Sequence, residues 1–439
     1  MLDDNIPQPW RARTTLVLTL TLVAVGLGNL QRMPFLMGEH GGAVFFLSYM
    51  AALLLLSAPV LIAEVVIGSL GRGSPGLALH WAASAASVDS RWRFLGMAQA
   101  VLSLILATVA ALSAVWCWHW AGALYSGALA SASANDVAAV FMVFVEDRPA
   151  QFMLVLAALG AAGALSALGI RAGMGLLAWG CLPVVAVTLF GVLDFVFVHT
   201  DLRPVQDFLF SRQSSEWSLN AFWQALGAAG ITLGAGVGVG MALGAQAPPG
   251  LPWARSVLAV AVLDSTFMVI TAVILSALLF ESNVAPVEGL AAVFVGLPYA
   301  FANLPLGETY GALLFGSLAL VSWSASVVLL APVVMLIDSE WGLGRVSGAV
   351  LTSTLAAVIA AVSLFTTEVP VLQLGSLAAQ WLLPASVLSL SIFVGWLMPR
   401  PVLRGELYRE PLWLFRCWWW ALRWFVPPAS VLWFLWGTA

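Results

Sequence analysis

The chain has 439 residues, of which 62% are hydrophobic and 9% are charged. A soluble globular domain carries about a quarter charged residues, so this composition excludes one. The net charge of −4 offers no basic surface for nucleic acid, and the three scattered cysteines predict neither a metal site nor a disulfide. No Ser-His-Asp or Cys-His grouping points to an enzyme. Apolar runs of about 20 residues recur along the chain and predict an all-α, multi-pass protein of the lipid bilayer.

Taken in chain order, these runs predict eleven transmembrane helices. Their residues are 14–37, 42–69, 94–126, 150–169, 174–198, 220–243, 254–280, 306–336, 346–365, 371–398 and 412–436. Residues 285–305 are apolar but broken by prolines and glycines, which predicts a re-entrant or capping loop rather than a span. We interpret residues 1–439 as one transmembrane domain with a first repeat at 14–198, a second at 220–398 and a last helix at 412–436.

The distribution of charge predicts the orientation in the membrane. All basic residues are arginine, and a cytoplasmic N-terminus places most loop arginines inside and most loop acids outside. This asymmetry follows the positive-inside rule. An odd number of spans then places the C-terminus outside.

Two of the predicted spans are interrupted by glycine. The first span contains VAVGLGNLQRMPF (23–35), with Asn29 and Arg32 beside the glycines, and the sixth contains GITLGAGVGVG (230–240). Glycine costs about 1 kcal/mol relative to alanine inside a helix, so both segments are expected to unwind. Interrupted spans at corresponding positions of two halves are typical of transporters with a binding site between inverted repeats. Close helix packing through small residues remains the alternative reading.

Three motifs stand out in the first quarter of the chain: AVGLGNLQRMPF (24–35), GEHGGAVFFLSY (38–49) and PVLIAEVVIG (59–68). With these motifs, this part of the chain resembles the neurotransmitter:sodium symporter family. The resemblance extends more weakly to ITLGAGVG (231–238) and WSASVVLLAPVVMLIDSEWGLGR (323–345). It implies the leucine-transporter fold and Na⁺-coupled symport of an amino acid or related amine by alternating access. It implies no organic cofactor. Because the chain is short for the family and has no N-x-S/T sequon, we expect a bacterial cytoplasmic membrane.

The resemblance also implies two sodium sites. Site 1 would take the carbonyl of Ala24 and the side chains of Asn29, Thr232 and Asp264, where Asp264 replaces the usual asparagine. Site 2 would take the carbonyls of Leu22, Val25 and Val321 and the side chain of Ser324. The next residue, normally a hydroxyl or carboxylate ligand, is Ala325. Since Na⁺ prefers oxygen ligands, site 2 is expected to be weak unless Ser326 or a water substitutes.

By the same resemblance, the substrate would lie between the two interruptions. The implied contacts are Ala24, Leu27, Gly28, Ser113, Ala114, Ile231, Thr232, Gly234, Val237 and Ser324. Ser113 or Ala114 replaces the family's tyrosine, and Val237 replaces its aromatic lid. The pocket is therefore expected to be wide and to favour a larger or more aromatic solute. Because Asp264 supplies a negative charge, either the substrate lacks a carboxylate or Asp264 is protonated when an acidic substrate binds.

The remaining implied roles concern gating and coupling. Arg32 would pair with an acid in the tenth span, for which Glu368 is the nearest candidate, or it only snorkels towards water. Glu64 is expected to accept hydrogen bonds from the unwound sixth span. Met268 replaces the family's chloride-site serine, so chloride dependence is not expected. Two alternatives stay open: H⁺ coupling through Asp264, and a non-coupled solute sensor or channel-like protein.

Overall fold

The computed structural model describes residues 9–211, 218–284, 289–366 and 371–436, without the side chains of residues 9–11, 29, 371, 372 and 436. The predicted gate residue Glu368 lies outside the described residues. Every regular element in the described ranges is a helix, which confirms the all-α prediction.

Residues 9–211 form ten α-helices. They are α1 Pro9–Ala24, α2 Leu27–Glu39, α3 Ala43–Ala52, α4 Ala58–Gly71, α5 Pro75–Ala85, α6 Arg93–Tyr125, α7 Ala134–Glu146, α8 Arg148–Ala167, α9 Gly175–His199 and α10 Arg203–Leu209.

The described residues from 218 to 436 form twelve more α-helices. They are α11 Leu219–Thr232, α12 Val239–Gln246, α13 Trp253–Glu281, α14 Leu297–Ala302, α15 Gly307–Leu329, α16 Ala331–Trp341, α17 Gly344–Phe365, α18 Val371–Leu377, α19 Leu383–Ile392, α20 Arg400–Glu406, α21 Leu412–Trp420 and α22 Val426–Trp436.

Six π-helical turns join or precede these α-helices within the described ranges. They are Leu53–Ser57, Ile170–Met174, Ala292–Gly296, Ala378–Leu382, Phe393–Leu397 and Ala421–Phe425. The sequence analysis predicted none of them. Turns of this kind are frequent at functional sites.

Eight continuous helices in the described part are long and apolar enough to cross a membrane. They are Ala43–Gly71, Ser90–Tyr125, Arg148–Ala167, Ile170–His199, Trp253–Glu281, Gly307–Trp341, Gly344–Phe365 and Gln373–Leu397. The predicted spans 14–37, 220–243 and 412–436 are not among the eight, although each contains helices. The chain is a multi-pass membrane protein, and the count of eleven crossings stays a prediction, as do the two repeats. Within 285–305, the apolar helix Ala292–Ala302 is too short to cross.

The two halves of the chain pack against each other around the interrupted helices. Helix α1 contacts α9, α13 and α15, while α11 contacts α3 and α12 packs along α4. Helix α6 lies along α15 and supports this group from one side.

Glycine allows α4 and α12 to approach closely. A β-carbon on Gly68 would overlap the Met241 carbonyl oxygen, and one on Gly244 would overlap the backbone of Val65. Small residues at helix interfaces let backbones approach in this way. The contact holds α12, which follows the second interruption, against α4.

We therefore expect Gly68→Ala to lower the free energy of unfolding by about 1–3 kcal/mol, the usual cost of overpacking. The matched control is Gly160→Ala in α8, where a β-carbon would meet no atom within 4 Å. Thermal unfolding in detergent measures both variants. Equal melting temperatures for the two would contradict the close α4–α12 contact.

Candidate functional site

The second interruption is a backbone segment, residues 233–238, between α11 and α12. Gly234, Gly236 and Gly238 have φ values of 63°, 88° and 75°. This left-handed region is costly for residues with a β-carbon, which explains why glycine recurs here.

Glu64 of α4 satisfies the freed amides of this segment, as the sequence predicted. Its Oε1 accepts hydrogen bonds from the amides of Gly236 (3.0 Å) and Gly238 (2.9 Å), and its Oε2 from that of Gly240 (3.1 Å). The Glu64 side chain is fully buried. Unsatisfied amides in a membrane cost several kcal/mol each, so this carboxylate makes the interruption possible.

Two further polar residues hold the segment, and the sequence analysis missed both. Ser386 Oγ of α19 donates to the Gly236 carbonyl at 2.6 Å, and Gln99 Nε2 of α6 donates to Ser386 Oγ at 2.9 Å. The second interruption is therefore fixed on one side by α4 and on the other by α6 and α19.

The first interruption lies at Val25 and Gly26, where α1 ends at Ala24 and α2 begins at Leu27. Gly26 has an extended backbone. β-Carbons on Gly26 and Gly28 would meet no atom within 4 Å, so open space lies in front of both.

The two interruptions face each other. A β-carbon on Gly234 would lie 2.6 Å from the side chain of Val23, at the end of α1. This approach brings residues 23–28 and 233–238 to one place in the bundle. Of the predicted lining residues here, Ile231 is 38% exposed, whereas Ala24, Leu27 and Val237 are buried.

A buried polar cluster lies beside the interruptions. The Tyr49 hydroxyl is 3.2 Å from Thr232 Oγ1 and 3.5 Å from Asp264 Oδ2. The Thr232 hydroxyl donates to the Ala228 carbonyl at 2.8 Å. Thr232 and Asp264, two predicted sodium ligands, thus meet at Tyr49. The side chain of the third, Asn29, lies outside the described residues.

The residues predicted for the second sodium site belong to α1, the first interruption and α15, and α1 contacts α15. Leu22, Val25, Val321 and Ser324 are all buried. The Ser324 hydroxyl donates to the Leu320 carbonyl at 2.6 Å and lies 3.4 Å from Cys181 Sγ. Ala325 is buried and adds no side-chain oxygen.

The two substrate contacts predicted in α6, Ser113 and Ala114, are both buried, and Ala114 lies at an apolar cavity. Ala114 lines an apolar cavity of about 390 Å³ between α6, α8 and α15, together with Trp118 and Trp323. This cavity shares no lining residue with the two interruptions. The neighbouring Ser113 is 7% exposed.

Arg32 has a partner that the sequence analysis did not predict. Its Nη2 donates to Gln224 Oε1 of α11 at 3.0 Å. A single glutamine in an apolar helix gives no local signal, and only the fold brings it within reach. On α16, the Ser339 hydroxyl donates to Ser74 Oγ at 2.7 Å.

We expect Glu64→Gln to destabilise the protein by about 1.5–3 kcal/mol. The variant replaces one carboxylate oxygen by an NH₂ group, so a glycine N–H that now meets an acceptor would meet a donor. The control is Glu340→Gln, which removes a partly exposed ion pair with Arg93 and should cost at most about 1 kcal/mol. Thermal unfolding in one detergent compares them. A Glu64 variant as stable as the control would refute the anchoring role.

Comparison with known proteins finds similarity to sodium-dependent transporters. Residues 8–137 match the model described as the sodium:neurotransmitter symporter family. An uncharacterized sodium-dependent transporter of Bacillus subtilis (strain 168), YhdH, is 21% identical over 310 residues, 70% of this chain and 68% of the relative. One of Haemophilus influenzae is 22% identical over 355 residues, 79% and 77% of the two chains.

A shorter match and a solved structure complete the comparison. The mouse sodium-dependent neutral amino acid transporter B(0)AT3 is 38% identical over 77 residues, 17% of this chain and 12% of the relative. The crystal structure of MhsT in complex with L-phenylalanine superposes with a TM-score of 0.85 and 22% identity, covering 97% of this chain and 98% of MhsT. The family model thus matches residues 8–137, and the likeness to MhsT shows that the chain has the leucine-transporter fold expected from the sequence.

Proposed function

We propose that the chain is a secondary active transporter that couples Na⁺ to the symport of an amino acid or related amine. One observation carries this proposal: two interrupted helices face each other beside the buried cluster of Tyr49, Thr232 and Asp264. The names of the relatives support the dependence on sodium, and the L-phenylalanine held by MhsT supports the substrate class.

Sodium site 1 is proposed at Asp264. A buried carboxylate within a membrane is expensive and is usually paired or functional. Asp264 is fully buried and lies with Thr232 at Tyr49, and its helix α13 contacts α1. Carboxylate, hydroxyl and free carbonyl oxygens are the ligands that a hard cation prefers. Asn29 joins this set by the resemblance alone.

The solute is proposed to lie in the open space before Gly26 and Gly28. The first amides of α2, at Leu27 and Gly28, form a helix N-terminus that favours a carboxylate. Because Ser113 and Val237 supply no aromatic ring, we infer a larger or more aromatic neutral amino acid; Ala114, which lines the separate apolar cavity, drops out of the proposed lining. An amine without a carboxylate is the alternative, since Asp264 would then be its counter-ion. Ile231, Thr232, Gly234 and Ser324 complete the proposed lining.

Coupling is proposed to follow from ligands shared by both interrupted helices. A bound ligand shifts a conformational equilibrium only through its different affinities for the two states. Na⁺ at site 1 would contact residues of both interruptions and favour the closed arrangement. The Arg32–Gln224 hydrogen bond already joins α2 to α11 and is proposed as part of the outer gate.

The N-terminus is proposed to lie in the cytoplasm of a bacterium and the C-terminus outside.

Two other functions use the same site differently. In H⁺ coupling, Asp264 would release and bind a proton against the hydroxyls of Tyr49 and Thr232. A non-coupled sensor or channel would bind solute without either ion.

Uptake into proteoliposomes under imposed Na⁺ or H⁺ gradients separates Na⁺ coupling, H⁺ coupling and the absence of coupling. The solutes tested are L-phenylalanine, small aliphatic amino acids and aromatic amines. A Na⁺ gradient that drives no uptake would overturn the proposal.

We expect Asp264→Asn to weaken the apparent Na⁺ affinity about tenfold or more, because it removes a charged ligand worth at least about 1.5 kcal/mol. It should also shift selectivity between carboxylate and amine substrates. Asp194→Asn is the control, since this aspartate is exposed on α9. Uptake at varied Na⁺ concentrations measures both. Unchanged sodium dependence and selectivity would reject the roles proposed for Asp264.

Sodium site 2 is proposed to be weakened by Ala325. We expect Ala325→Ser to restore an oxygen ligand and to make uptake depend more steeply on Na⁺ concentration. The control is Ala319→Ser, which places a hydroxyl on α15 at the separate apolar cavity. Hill coefficients of uptake compare the variants, and the same coefficient for Ala325→Ser and wild type would count against this site.

A further inference from the structure

An arginine and tryptophan cluster lies at the end of the bundle where α20 connects α19 to α21. Two π-helical turns meet there, Phe393–Leu397 and Ala421–Phe425. A β-carbon on Gly395 would lie 3.2 Å from the Arg423 Cα, so the two backbones are in close contact. The proposed transport mechanism does not use this cluster.

The guanidinium of Arg423 lies among three indole rings. Its central carbon is 4.3 Å from the ring centroid of Trp396, 4.8 Å from that of Trp419 and 5.5 Å from that of Trp424. Arg400, the first residue of α20, stacks on one of these same rings. Its guanidinium carbon lies 3.6 Å from the Trp419 ring centroid.

The two positive charges are therefore close. Both guanidinium carbons are within 5 Å of one ring centroid, so they are separated by less than the ~10 Å screening length of 0.1 M salt. Two like charges at this distance beside a membrane raise each other's free energy unless an anion lies nearby.

Among the described residues, no carboxylate forms an ion pair with Arg400 or Arg423. The ion pairs there involve Arg91, Arg93 and Arg255. The Arg423 Nε and the Trp419 Nε1 are buried and have no acceptor among the described residues.

The acids of the same region are engaged elsewhere. Glu406 accepts a hydrogen bond from Ser69, and Glu410 is paired with Arg255. Arg404, one turn after Arg400, differs from the cluster because it donates to the carbonyls of Leu407 and Glu410. Arg400 and Arg423 are thus cations of this end that share an indole ring and whose charge lacks a described partner.

We propose that Arg400 and Arg423 bind the phosphate of an anionic phospholipid, with its acyl chains against Trp396 and Trp424. The planar guanidinium matches phosphate geometry, and anionic lipids attract basic residues at the membrane surface. The Trp396 and Trp424 side chains are about half exposed, at 47% and 52%, and tryptophan favours the interface between headgroups and acyl chains. A lipid uses both features, whereas free phosphate uses only the charge.

The test is lipid retention by the purified full chain in nanodiscs of phosphatidylcholine with a minor fraction of phosphatidylglycerol. Native mass spectrometry after release counts the bound lipids. Wild type should retain phosphatidylglycerol preferentially, and Arg400→Gln/Arg423→Gln should lose that preference about tenfold. The control Arg91→Gln, which removes an exposed arginine next to Asp89, should keep it.

Two further measurements keep the result interpretable. Thermal unfolding in pure phosphatidylcholine checks that the double variant is folded; if it is not, Arg400→Gln alone carries the test, because Arg400 is exposed. Millimolar inorganic phosphate should not displace the retained lipid. The proposal is overturned if the folded variant retains phosphatidylglycerol as wild type does, or if phosphate alone competes it away.

Discussion

The hydrogen bonds between Glu64 and the amides of Gly236, Gly238 and Gly240 are the interaction on which the rest of the structure depends. Hydrocarbon provides no donors or acceptors, so a backbone can leave the helical path in a membrane only where protein groups replace its lost partners. A carboxylate accepts several N–H groups at once, which no other side chain of similar size does as well. Without it, the amides of Gly236, Gly238 and Gly240 would lose their described acceptor within the membrane.

The same segment also links two groups of helices. Glu64 joins it to α4, while Ser386 and Gln99 join it to α19 and α6. By the resemblance, alternating access would move the spans that contain α4 and α12 against those that contain α6 and α19. The Ser386–Gly236 hydrogen bond would lie across that boundary, so each conformational cycle would have to keep or replace it. By this proposal, the second interruption takes part in both solute binding and helix movement.

Local patterns in the sequence predicted most of the fold and part of the site. Apolar runs located the long helices, and runs of glycine located both interruptions, because these features depend on neighbouring residues. Gln224, Ser386 and Gln99 were missed because each is a single polar residue in an apolar helix whose partner lies more than 140 positions away. The helices α5 and α7 were also missed; α7 begins at a capping box between Ser133 and Asp136 that an analysis of apolar runs does not detect.

The two buried acids of the site differ in what compensates their charge, and this difference bears on coupling. Glu64 is held by three backbone amides, which are fixed in place and cannot leave. Asp264 lies near the hydroxyl of Tyr49, which rotates, and beside Thr232, whose own hydroxyl proton is directed to Ala228. The Thr232 oxygen therefore acts as an acceptor on the side of Tyr49. In the proposed sodium site, this oxygen and the Asp264 carboxylate would bind a cation that arrives and departs. By that proposal, Glu64 would maintain the interruption in every state, whereas Asp264 would distinguish the state that holds the ion from the state that has released it.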